Sequence, residues 1–589
     1  MRYRALFATL LLAFCGSPGL RVSARSDVDL TRSNRRPPTQ GLPDWSHAGY
    51  EGGSDLPGDG QVGYTLGPAE LASTYNVIPN DDQDDTPGLE KAIHDMRQHA
   101  RTNSFALIQL PAGVLNLKYT IYIDTNYLII RGAGTDPNDG GTVLSFSPDE
   151  NTRYDVLEAN GSRWSQTGMK TAWKYQVPDS TVQSGLRTIT GSASSGWLWP
   201  GRSLFRVGSK EIASKFRTPY DLAEPNRKDL FFGTVNYHWR NDTKIKGFMA
   251  DQTKDIAGHA GSNQIYYDYQ NTSYVWEPGQ DVWVAGPIRS VDYDSWGVTN
   301  SSYYVNEYMF QDWFTVVDVG EDGDGKFLVL DHPLAFDVYS NSAAGGAQVM
   351  EDAVSPAKAR EIMPIERPVH HVGIENLYIT QPMDLNPQDA VDNYGNMRPN
   401  AAMHGIVFRY ARDCWVARFI QIQDNYFDGS WNKGAGGNGY LRGSRVWDSL
   451  YFNNVLRNLR HFTFQWCSMR NVALYNDMTN DFNLHGGWEG YNLAELNTIV
   501  VPYEHRAGSC SSNCGGEGGA SESGTWAPIY WSTGAKASKW SGATGPQNVF
   551  HRNYMLKSFV PGGGVVDYLP YFTRDASKSK NTVIWQFGW

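Results

Sequence analysis

Short runs of alternating apolar and polar residues dominate the chain between residues 105 and 146. The stretch FALIQLPAGVLNLKYTIYIDTNYLIIRGAGTD is broken by Pro-Ala-Gly, by Asp-Thr-Asn and by Gly-Ala-Gly. Apolar alternation predicts strands, and Gly, Pro, Asn and Asp in clusters predict the turns between them. Short strands joined by tight turns, with little helix between them, predict a coiled stack of strands.

The same pattern returns at RPVHHVGIENLYIT and continues almost to the C-terminus, through segments such as RHFTFQWCSMRNVALYND. Successive runs recur every roughly 20 to 30 residues, which is the repeat length of β-solenoids. Asparagine marks the ends of these strands. We expect the asparagine amides to stack and to bond along the axis of the stack, at Asn376, Asn425, Asn454, Asn476, Asn497 and Asn553.

One helix precedes the first strands, in NDDQDDTPGLEKAIHDMRQHA. Asp85 or Thr86 can cap it, and Pro87 suits its first turn. The apolar positions fall on one helical face, which predicts a short amphipathic helix. They are Leu89, Ile93 and Met96.

The pattern divides the chain into five parts. Residues 1–24 resemble a signal peptide, and residues 25–64 form a linker and an irregular segment that we expect to pack through Trp45 and Tyr50. Residues 65–150 carry the helix and the first coils. Residues 151–365 lose the coil pattern and form a β-rich, Trp/Tyr-rich insertion, in which WFTVVDVGEDGDGKFLVLDHPL predicts a hairpin. Residues 366–589 form the C-terminal coils.

The segment GEDGDG lies within the predicted hairpin of the insertion. It lacks the ligand spacing of a calcium loop, so we interpret it as the turn of the hairpin.

The N-terminal segments carry a family resemblance. DDTPGLEKAI, LPAGVLNLKYTIYI and YLIIRGAGTDPNDGGTVL, in this order over residues 80–146, resemble the opening of the pectin-lyase-like superfamily, in particular its pectate-lyase-3 and glucanase-like branch. The resemblance implies an all-β fold, a right-handed parallel β-helix (β-solenoid) with an N-terminal capping helix. Hydrolases, lyases, epimerases and proteins without enzymatic activity share this opening, so it does not assign the reaction.

The resemblance also assigns no catalytic residue. The sequence lacks the N-x-D, D-D, G-H-G and R-x-K set of the polygalacturonase-like hydrolases. It also lacks the v-W-i-D-H and R-x-P-x-x-R patterns of the pectate lyases. His404-Gly405 matches only a fragment of the first set, so candidate residues have to come from the chain itself.

The N-terminus predicts export. Arg2 and Arg4 precede a short apolar run, and Ser23 and Ala24 provide a cleavage site, as in secretory signals. No later stretch reaches the about 20 apolar residues of a membrane span, so we expect a protein without a membrane anchor, secreted to the extracellular space or the cell wall. Four sequons suit glycosylation, at Asn160, Asn241, Asn271 and Asn300.

Four cysteines remain after removal of the signal, and an oxidising compartment favours their pairing. Cys510 and Cys514 lie in one Ser/Gly-rich loop, so we expect them to form a disulfide there and Cys414 to pair with Cys467. A zinc site is disfavoured because no Cys-x2-Cys or His pair accompanies them.

Composition narrows the class of partner. The net charge of -11 argues against nucleic acid, which would favour a basic surface. With 60 Gly, 33 Tyr and 20 Trp the chain suits a turn-rich β protein with aromatic surfaces, as in many extracellular proteins that handle carbohydrate and also in inert β scaffolds. We expect a monomer whose partner is a polysaccharide.

Candidate chemistry concentrates on the C-terminal coils. Because equivalent positions of adjacent coils stack about 4.8 Å apart, residues one coil apart in sequence become neighbours. His461, His485 and His505 are spaced close to one coil apart, which predicts a histidine ladder. Acids, an arginine and possible sugar contacts surround these histidines, namely Asp424, Asp428, Arg460, Asp481, Glu489, His404, Trp488 and Tyr491.

Three functions use these residues differently. A glycoside hydrolase needs two carboxyl groups, roughly 5 to 5.5 Å apart for retention or 6.5 to 9.5 Å for inversion, and Asp481 with Glu489, or either of them with Asp424 or Asp428, is a candidate pair. A polysaccharide lyase needs a cation or Ca²⁺ and a base, which Arg460, His461 and His485 suit. In either enzyme we expect His404, Trp488, Tyr491 and His505 to bind the substrate. A wall or adhesion protein without catalytic activity would instead bind glycans through its tryptophans. We favour hydrolysis because only one lysine, Lys433, lies between residues 380 and 530.

Overall fold

The computed structural model describes 23 stretches of the chain. They are 42–147, 174–178, 186–190, 203–212, 214, 217–222, 232, 248–250, 256–268, 275–287, 308–339, 361–365, 367–381, 404–417, 422–423, 425–428, 440–457, 459, 461–503, 527–532, 544–560, 562–568 and 584–587. Within them the protein is mostly strand with few helices, an all-β protein whose several parallel sheets fit a solenoid.

The described helices are short. They are α1 (Pro68–Tyr75), α2 (Thr86–Asp95) and α3 (Arg217–Leu222), with 3-10 turns at Asp59–Gln61 and Met96–Gln98. The predicted amphipathic helix is confirmed as α2, which begins beside Pro87 and buries Leu89 and Ile93. The Asp85 carboxylate does not cap α2. It accepts hydrogen bonds from the backbone N–H groups of Ile78 and Asn116, at 2.9 and 2.8 Å. None of the described helices has the length and apolar character needed to cross a membrane.

The first nine strands combine parallel pairs with one separate hairpin. They are β1 (Val62–Leu66), β2 (Phe105–Gln109), β3 (Gly113–Leu117), β4 (Ile121–Ile123), β5 (Leu128–Arg131), β6 (Thr142–Phe146), β7 (Lys174–Pro178), β8 (Leu186–Thr190) and β9 (Ser203–Val207). β7 pairs with β8 in antiparallel fashion. β9 lies in the range assigned to the insertion, yet it pairs in parallel with β4.

The following strands include a closed barrel of antiparallel pairs in the order β10-β12-β15-β14-β13-β17. They are β10 (Phe248–Ala250), β11 (Ile256–Gly258), β12 (Gln264–Asp268), β13 (Asp281–Pro287), β14 (Tyr308–Asp322), β15 (Gly325–Leu330), β16 (Val338–Tyr339) and β17 (Glu361–Pro364). The predicted hairpin is confirmed as β14 and β15, which meet where Asp322 faces Gly325.

The C-terminal strands begin at residue 369. They are β18 (Val369–His370), β19 (Val372–Glu375), β20 (Tyr378–Thr380), β21 (His404–Phe408), β22 (Ala411–Arg412), β23 (Trp415–Ala417), β24 (Ile422–Gln423), β25 (Tyr426–Asp428), β26 (Tyr440–Ser444), β27 (Leu450–Phe452), β28 (Val455–Arg457), β29 (His461–Gln465), β30 (Val472–Leu474), β31 (Asp477–Met478), β32 (Asp481–Leu484), β33 (Leu493–Glu495), β34 (Thr498–Val501), β35 (Ile529–Trp531), β36 (Asn548–His551), β37 (Tyr554–Lys557), β38 (Val566–Asp567) and β39 (Ile584–Phe587).

Three sheets receive these strands in rotation from β24 onwards. Sheet 1 has the order β1-β2-β5-β19-β23-β24-β27-β30-β33-β36-β39, sheet 2 the order β25-β28-β31-β34-β37-β38, and sheet 3 the order β26-β29-β32-β35. The chain thus passes through sheets 1, 2 and 3 once before it returns to sheet 1, and we refer to each such passage as a coil. Two further parallel sheets contain the remaining N-terminal strands, each with one strand from later in the chain. Their orders are β20-β6-β3 and β21-β9-β4.

The predicted asparagine stacking is confirmed for most of its members. Each side-chain amide donates to the next asparagine Oδ1 along the stack at 2.8 to 3.1 Å, and the row runs through Asn425, Asn454, Asn476, Asn497 and Asn553. Asn376 instead donates to the Gly132 carbonyl. A second row, which the sequence did not reveal, joins Asn471, Asn492 and Asn548. Side-chain ladders of this kind satisfy the backbone at the corners, where the strands end.

Two buried aromatic side chains attach the N-terminal segment, as predicted. Trp45 is 1% exposed, packs among apolar side chains of sheet 1 and donates its indole N–H to the Tyr491 carbonyl. Tyr50 meets the ring of Trp415 edge to face. The segment that contains Trp45 and Tyr50 therefore belongs to the packed body of the protein.

A buried ion pair joins the barrel to the coils. Arg470, in the turn before β30, forms a bidentate pair with Asp312 of β14, with N–O distances of 2.7 and 2.9 Å. The same guanidinium contacts Asp448 one coil away, at 2.8 Å. Because Asp312 is fully buried, this pair fixes the barrel on the stack, and loss of one partner would leave an uncompensated charge.

The predicted disulfide between Cys414 and Cys467 is wrong, because both thiols are free. The strands that follow them, β23 and β30, are three strands apart in sheet 1, or about 14 Å at the usual strand spacing. A disulfide needs Cα atoms within about 7 Å. Cys414 Sγ donates to the Arg412 carbonyl and Cys467 Sγ to the Gln311 carbonyl, at 3.1 and 3.0 Å.

Candidate functional site

Sheet 3 has one apolar and one polar face. Successive side chains of a strand point to opposite sides. On β29 and β32 the residues Phe462, Phe464, Phe482 and Leu484 enter the hydrophobic core, so the residues between them face the other way. This polar face of sheet 3 is buried, and it comprises His461, Thr463, Gln465, Asp481, Asn483 and Tyr530.

His461 and Asp481 are in direct polar contact on this face. They are register partners on β29 and β32, and His461 Nδ1 lies 2.7 Å from Asp481 Oδ1. Because a carboxylate only accepts hydrogen bonds, the proton of this contact is on Nδ1. Asp481 Oδ2 accepts from Asn483 Nδ2 at 2.8 Å, so both carboxylate oxygens are fixed.

A lysine completes the charged group. Lys557 of β37 is 0% exposed. Burial lowers its pKa to about 8, and the charge of Asp481 opposes this shift. A lysine with a pKa near neutrality can hold or release a proton under physiological conditions, as general acid–base groups must. The charge of Asp481 therefore acts on two groups. It contacts His461 of the preceding coil, and it opposes the pKa shift of Lys557, which lies on the side of β37 that Met555 turns to the core.

Two buried oxygen atoms at this face lack a hydrogen-bond partner in the part of the chain that the structure describes. They are Asn483 Oδ1 and Ser532 Oγ, and both residues are 0% exposed. Thr463 beside them is satisfied, because its hydroxyl donates to the Asn483 carbonyl at 2.7 Å. Buried polar atoms are nearly always hydrogen-bonded, and a buried water is the usual partner of such oxygens.

The predicted histidine ladder is wrong for its first two members. The register places Phe464 opposite Leu484, so His485 faces Gln465 rather than His461. The coil measures 20 residues here, because His461 and Asp481 are partners, whereas His461 and His485 are 24 positions apart. His505 lies outside the described residues.

The turn after β32 contains the Gly-Gly pair of NDFNLHGGWEGYN. Gly486 and Gly487 have φ angles of 101° and 91°, which favour glycine. A Cβ on Gly487 would also come within 2.8 Å of the Trp466 backbone in the neighbouring coil. The two glycines are therefore required by the turn itself.

Trp488 and Tyr491, which we predicted as sugar contacts, pack against the barrel. Trp488 is 8% exposed and meets Phe336 edge to face. The Tyr491 hydroxyl donates to the Ala335 carbonyl at 3.4 Å. Both contacts reach the segment that follows β15, so these aromatic residues attach the barrel to the coils.

Glu489 is too far from Asp481 to form a retaining pair. Its Oε1 accepts from the Gly486 N–H and the Thr544 hydroxyl, at 3.1 and 2.8 Å. These contacts place it beyond the C-terminal end of β32, whereas Asp481 begins that strand. Three steps along a strand already measure about 10 Å. The 5 to 5.5 Å spacing for retention is therefore excluded for this pair.

The remaining candidates are only partly described. For His404 and Asp428 the structure describes only the backbone. His404 is the first residue of β21 and Asp428 is the last residue of β25. Asp424 and Arg460 lie outside the described residues, as do Cys510, Cys514 and the sequons at Asn160, Asn241, Asn271 and Asn300. The roles of all these residues stay predictions.

Sequence reasoning missed Asn483, Tyr530, Ser532 and Lys557. Asn483 had a signal, because it alternates with Asp481 along a strand. Lys557 had none, since only the folding of a later coil brings it near. In the described stretches no group of three or more His, Cys, Asp or Glu side chains is placed to hold a metal ion, so no residue set for Ca²⁺ can be named.

A second histidine cluster has a structural role. His370 Nδ1 lies 2.9 Å from His371 Nδ1, and His371 Nε2 lies 2.9 Å from Glu51 Oε1. Burial lowers the pKa of His370 to about 4, with His371 adding to the effect. The rings pack against Tyr50 and Tyr127, so the cluster holds the N-terminal segment to β18.

Comparison with protein-family models and with curated proteins gives no match for this chain.

Proposed function

We propose that this protein is a secreted carbohydrate-active enzyme, folded as a right-handed parallel β-helix, that cleaves a polysaccharide on the polar face of sheet 3. The passage of the chain through three sheets in rotation supports the β-helix, as do the parallel pairs. Partners in adjacent coils are 20 to 22 residues apart, which is a solenoid repeat.

The His461–Asp481 pair is the observation that carries the proposal. A histidine whose Nδ1–H is held by a carboxylate presents Nε2 as a general base, and the carboxylate stabilises the imidazolium that forms. Positioned acid–base groups of this kind contribute about 10²- to 10⁴-fold to a reaction rate. Asn483 holds the other oxygen of Asp481 and thereby fixes the orientation of the pair.

The geometry favours β-elimination over hydrolysis. His461 Nε2 takes the proton from the carbon next to the sugar carboxylate, and the C–H electrons form a carbon–carbon double bond. The C–O bond to the leaving sugar breaks, and its oxygen takes up a proton from water. Arg442 is in register with Thr463 on the neighbouring strand, and its guanidinium can neutralise the sugar carboxylate. The exclusion of Asp481 with Glu489 as a retaining pair weakens the hydrolase that the sequence favoured.

An inverting hydrolase is the second candidate, because the backbone of Asp428 is two strands from the corner that precedes Asp481. Asp428 is in register with Arg457, and Leu456 with Met478, so Asp428 is two strands from Thr479. Two strand spacings are about 10 Å, and Asp481 follows Thr479 by two residues. An inverting enzyme needs its two carboxyl groups roughly 6.5 to 9.5 Å apart. A glycan-binding protein without activity would use exposed aromatic residues. Trp488 is buried, whereas Tyr426, Tyr554 and Phe559 are exposed.

The test is incubation of the mature protein with neutral and uronate-containing polysaccharides. Reducing ends and the ultraviolet absorbance of an unsaturated product are followed together. We expect both signals to rise with a uronate polymer and to be lost in His461→Ala. Reducing ends without absorbance would instead establish the hydrolase.

His551→Ala is the matched control. His551 contacts Glu495 at 3.1 Å, and the two residues are register partners on sheet 1. It therefore repeats the histidine–carboxylate contact away from sheet 3, and its loss should leave activity unchanged. Equal activity of His461→Ala and His551→Ala would refute a role for the polar face of sheet 3.

A further inference from the structure

The N-terminal segment crosses one face of sheet 1, and we call its residues 42–56 the strap. At one end Trp45 is buried and donates its indole N–H to the Tyr491 carbonyl. At the other end Tyr50 is buried, and the Glu51 N–H donates to Asp413 Oδ1 at 2.8 Å. Tyr50 packs on buried apolar side chains of sheet 1, namely Phe105, Leu107, Ile129 and Trp415. Opening of this end would expose that apolar cluster to water.

Four side chains attach the Tyr50 end of the strap through one continuous hydrogen-bond relay. Asn126 Nδ2 lies 2.8 Å from His370 Nε2. His370 Nδ1 lies 2.9 Å from His371 Nδ1. His371 Nε2 in turn lies 2.9 Å from Glu51 Oε1 of the strap. We call these four side chains the imidazole relay.

The hydrogen positions of the imidazole relay are fixed at both ends. Asn126 Oδ1 accepts from the His370 backbone N–H at 3.1 Å, so Asn126 Nδ2 is the donor to His370 Nε2. The Glu51 carboxylate only accepts, so His371 Nε2 carries a hydrogen. The contact between the two imidazoles uses one hydrogen. The four ring nitrogens therefore carry two hydrogens in all, which makes both histidines neutral.

The imidazole relay has no place for one more proton. A third hydrogen on the ring nitrogens would set two N–H groups against each other, either between the imidazoles or at Asn126. Positive charge is also disfavoured, because Arg412 of β22 is in register with His370. Burial, His371 and Arg412 together lower the pKa of His370 to about 4.

Further titratable groups surround the two imidazoles. They come from the strap, from the turn before β5 and from the turn after β22, and they are Tyr50, Glu51, Tyr127, Asp413 and Cys414. Glu51 attracts positive charge on His371, but its carboxylate already receives the hydrogen on Nε2. The acid beside His371 therefore does not remove the conflict that a third hydrogen creates at the other two contacts.

We propose that acidification protonates the imidazole relay and thereby opens the Tyr50 end of the strap, which uncovers the apolar cluster beneath it. The strap stays attached through Trp45 and through β1, so its middle opens as a loop. The inference concerns a conformational switch, and it rests on none of the residues to which we assigned catalysis.

The direction of the switch follows from proton binding. The pKa of His370 is lowered from its ordinary value of 6.5 to about 4 when the strap is closed, so the open form binds more protons between these values. Opening is therefore favoured as pH falls through this range, by at most on the order of 10²-fold. Above pH 6.5 both forms are neutral, and the closed strap keeps its full stability.

Hydrogen exchange of the strap measures this opening. The N–H groups of Glu51 and Ser54 donate to Asp413 Oδ1 and to the Tyr50 carbonyl, so slow exchange in residues 49–56 reports the closed form. Rates are corrected for their intrinsic dependence on pH, and β30 is the reference in the same protein. We expect protection of the strap to fall about 10- to 100-fold between pH 7 and pH 4, while protection of β30 stays unchanged.

Asn126→Asp separates the imidazole relay from a general effect of acid. The new carboxylate can accept a hydrogen from His370 Nε2, so the protonated relay becomes complete. We expect this variant to keep the strap protected at pH 4 and to lose protection as pH rises, which is the reverse of the parent protein. Asn138→Asp is the matched control, because it adds the same charge at an exposed position and should behave as the parent does.

His370→Gln serves as the test if Asn126→Asp does not fold. Its side chain takes up no proton, so we expect protection of the strap to be independent of pH. His94→Gln is its control, because His94 is an exposed histidine of α2. An equal dependence on pH in these two variants would overturn the inference.

Three further results would also overturn the inference. The first is equal protection of the strap at pH 7 and pH 4 in the parent protein. The second is the same loss of protection in Asn126→Asp as in Asn138→Asp. The third is a parallel loss of protection in the strap and in β30, which would show acid unfolding of the whole protein instead of a local opening.

Discussion

His461 of β29 and Asp481 of β32 are register partners in adjacent coils, with imidazole Nδ1 2.7 Å from carboxylate Oδ1. The two residues are 1% and 0% exposed. A pair that is removed from bulk water interacts strongly, because the local dielectric is low. The two residues pair because this coil contains 20 residues. A coil of 24 residues would have placed His485 opposite His461 instead.

Replacement of Asp481 tests the orientation of the base. Asp481→Asn keeps the shape but can donate its amide N–H to Nδ1, which moves the imidazole proton to Nε2 and removes the base. We expect kcat to fall by about 10²- to 10⁴-fold while the thermal unfolding transition stays cooperative. Glu495→Gln is the control, because it makes the same exchange at the His551 contact. An unchanged kcat in Asp481→Asn would contradict the assigned role.

Lys557 makes stability depend on pH in a defined direction. Its pKa is lowered from 10.5 to about 8, so between these values the unfolded chain binds more protons. The free energy of unfolding therefore rises as pH increases from about 8 to 10.5, by on the order of 3 kcal/mol. Lys557→Met should remove this rise and should stabilise the protein at pH 7.

The measurement is urea unfolding at several pH values, taken as the difference between Lys557→Met and the parent protein. Lys91→Met is the control, since Lys91 is an exposed helix residue paired with Asp95. A difference that stays constant across this pH range would show that Lys557 is charged in the folded protein throughout.

Removal of one side chain from the asparagine row should lower the free energy of unfolding. Asn476 is 1% exposed, its amide donates to the Tyr451 carbonyl and to Asn497 Oδ1, and its own Oδ1 accepts from Asn454. Asn476→Ala leaves these buried groups unsatisfied, so we expect a loss of about 1–3 kcal/mol in unfolding free energy. The exposed Asn138→Ala is the comparison. If chemical unfolding shows the same loss of free energy in Asn476→Ala and in Asn138→Ala, the row contributes no stability.

The two free cysteines predict a specific alkylation pattern. Burial raises the pKa of Cys414 to about 12 and that of Cys467 well above its usual value, and only a thiolate reacts readily. We expect iodoacetamide without reductant to label neither residue in the native protein and both after unfolding in guanidinium. A cross-linked peptide that contains Cys414 and Cys467 would contradict the free thiols.

The sequence was sufficient for the elements whose signals are local. Pro87 and the spacing of Leu89 and Ile93 determined α2, the turn residues between Asp322 and Gly325 determined the hairpin, and the recurring asparagines determined the row through Asn476. Each of these signals lies within one element or repeats at each coil, so period and turn chemistry are enough to find it.

Only the tertiary structure decided which side chains meet. Coil lengths of 20 to 22 residues cannot be resolved from apolar spacing alone, and a small error changes the partner of every side chain. The tertiary structure pairs His461 with Asp481 instead of His485. It also folds a distant part of the chain so that Lys557 feels the charge of the same carboxylate. The packing of the barrel on the coils likewise buried Trp488, which no local pattern could indicate.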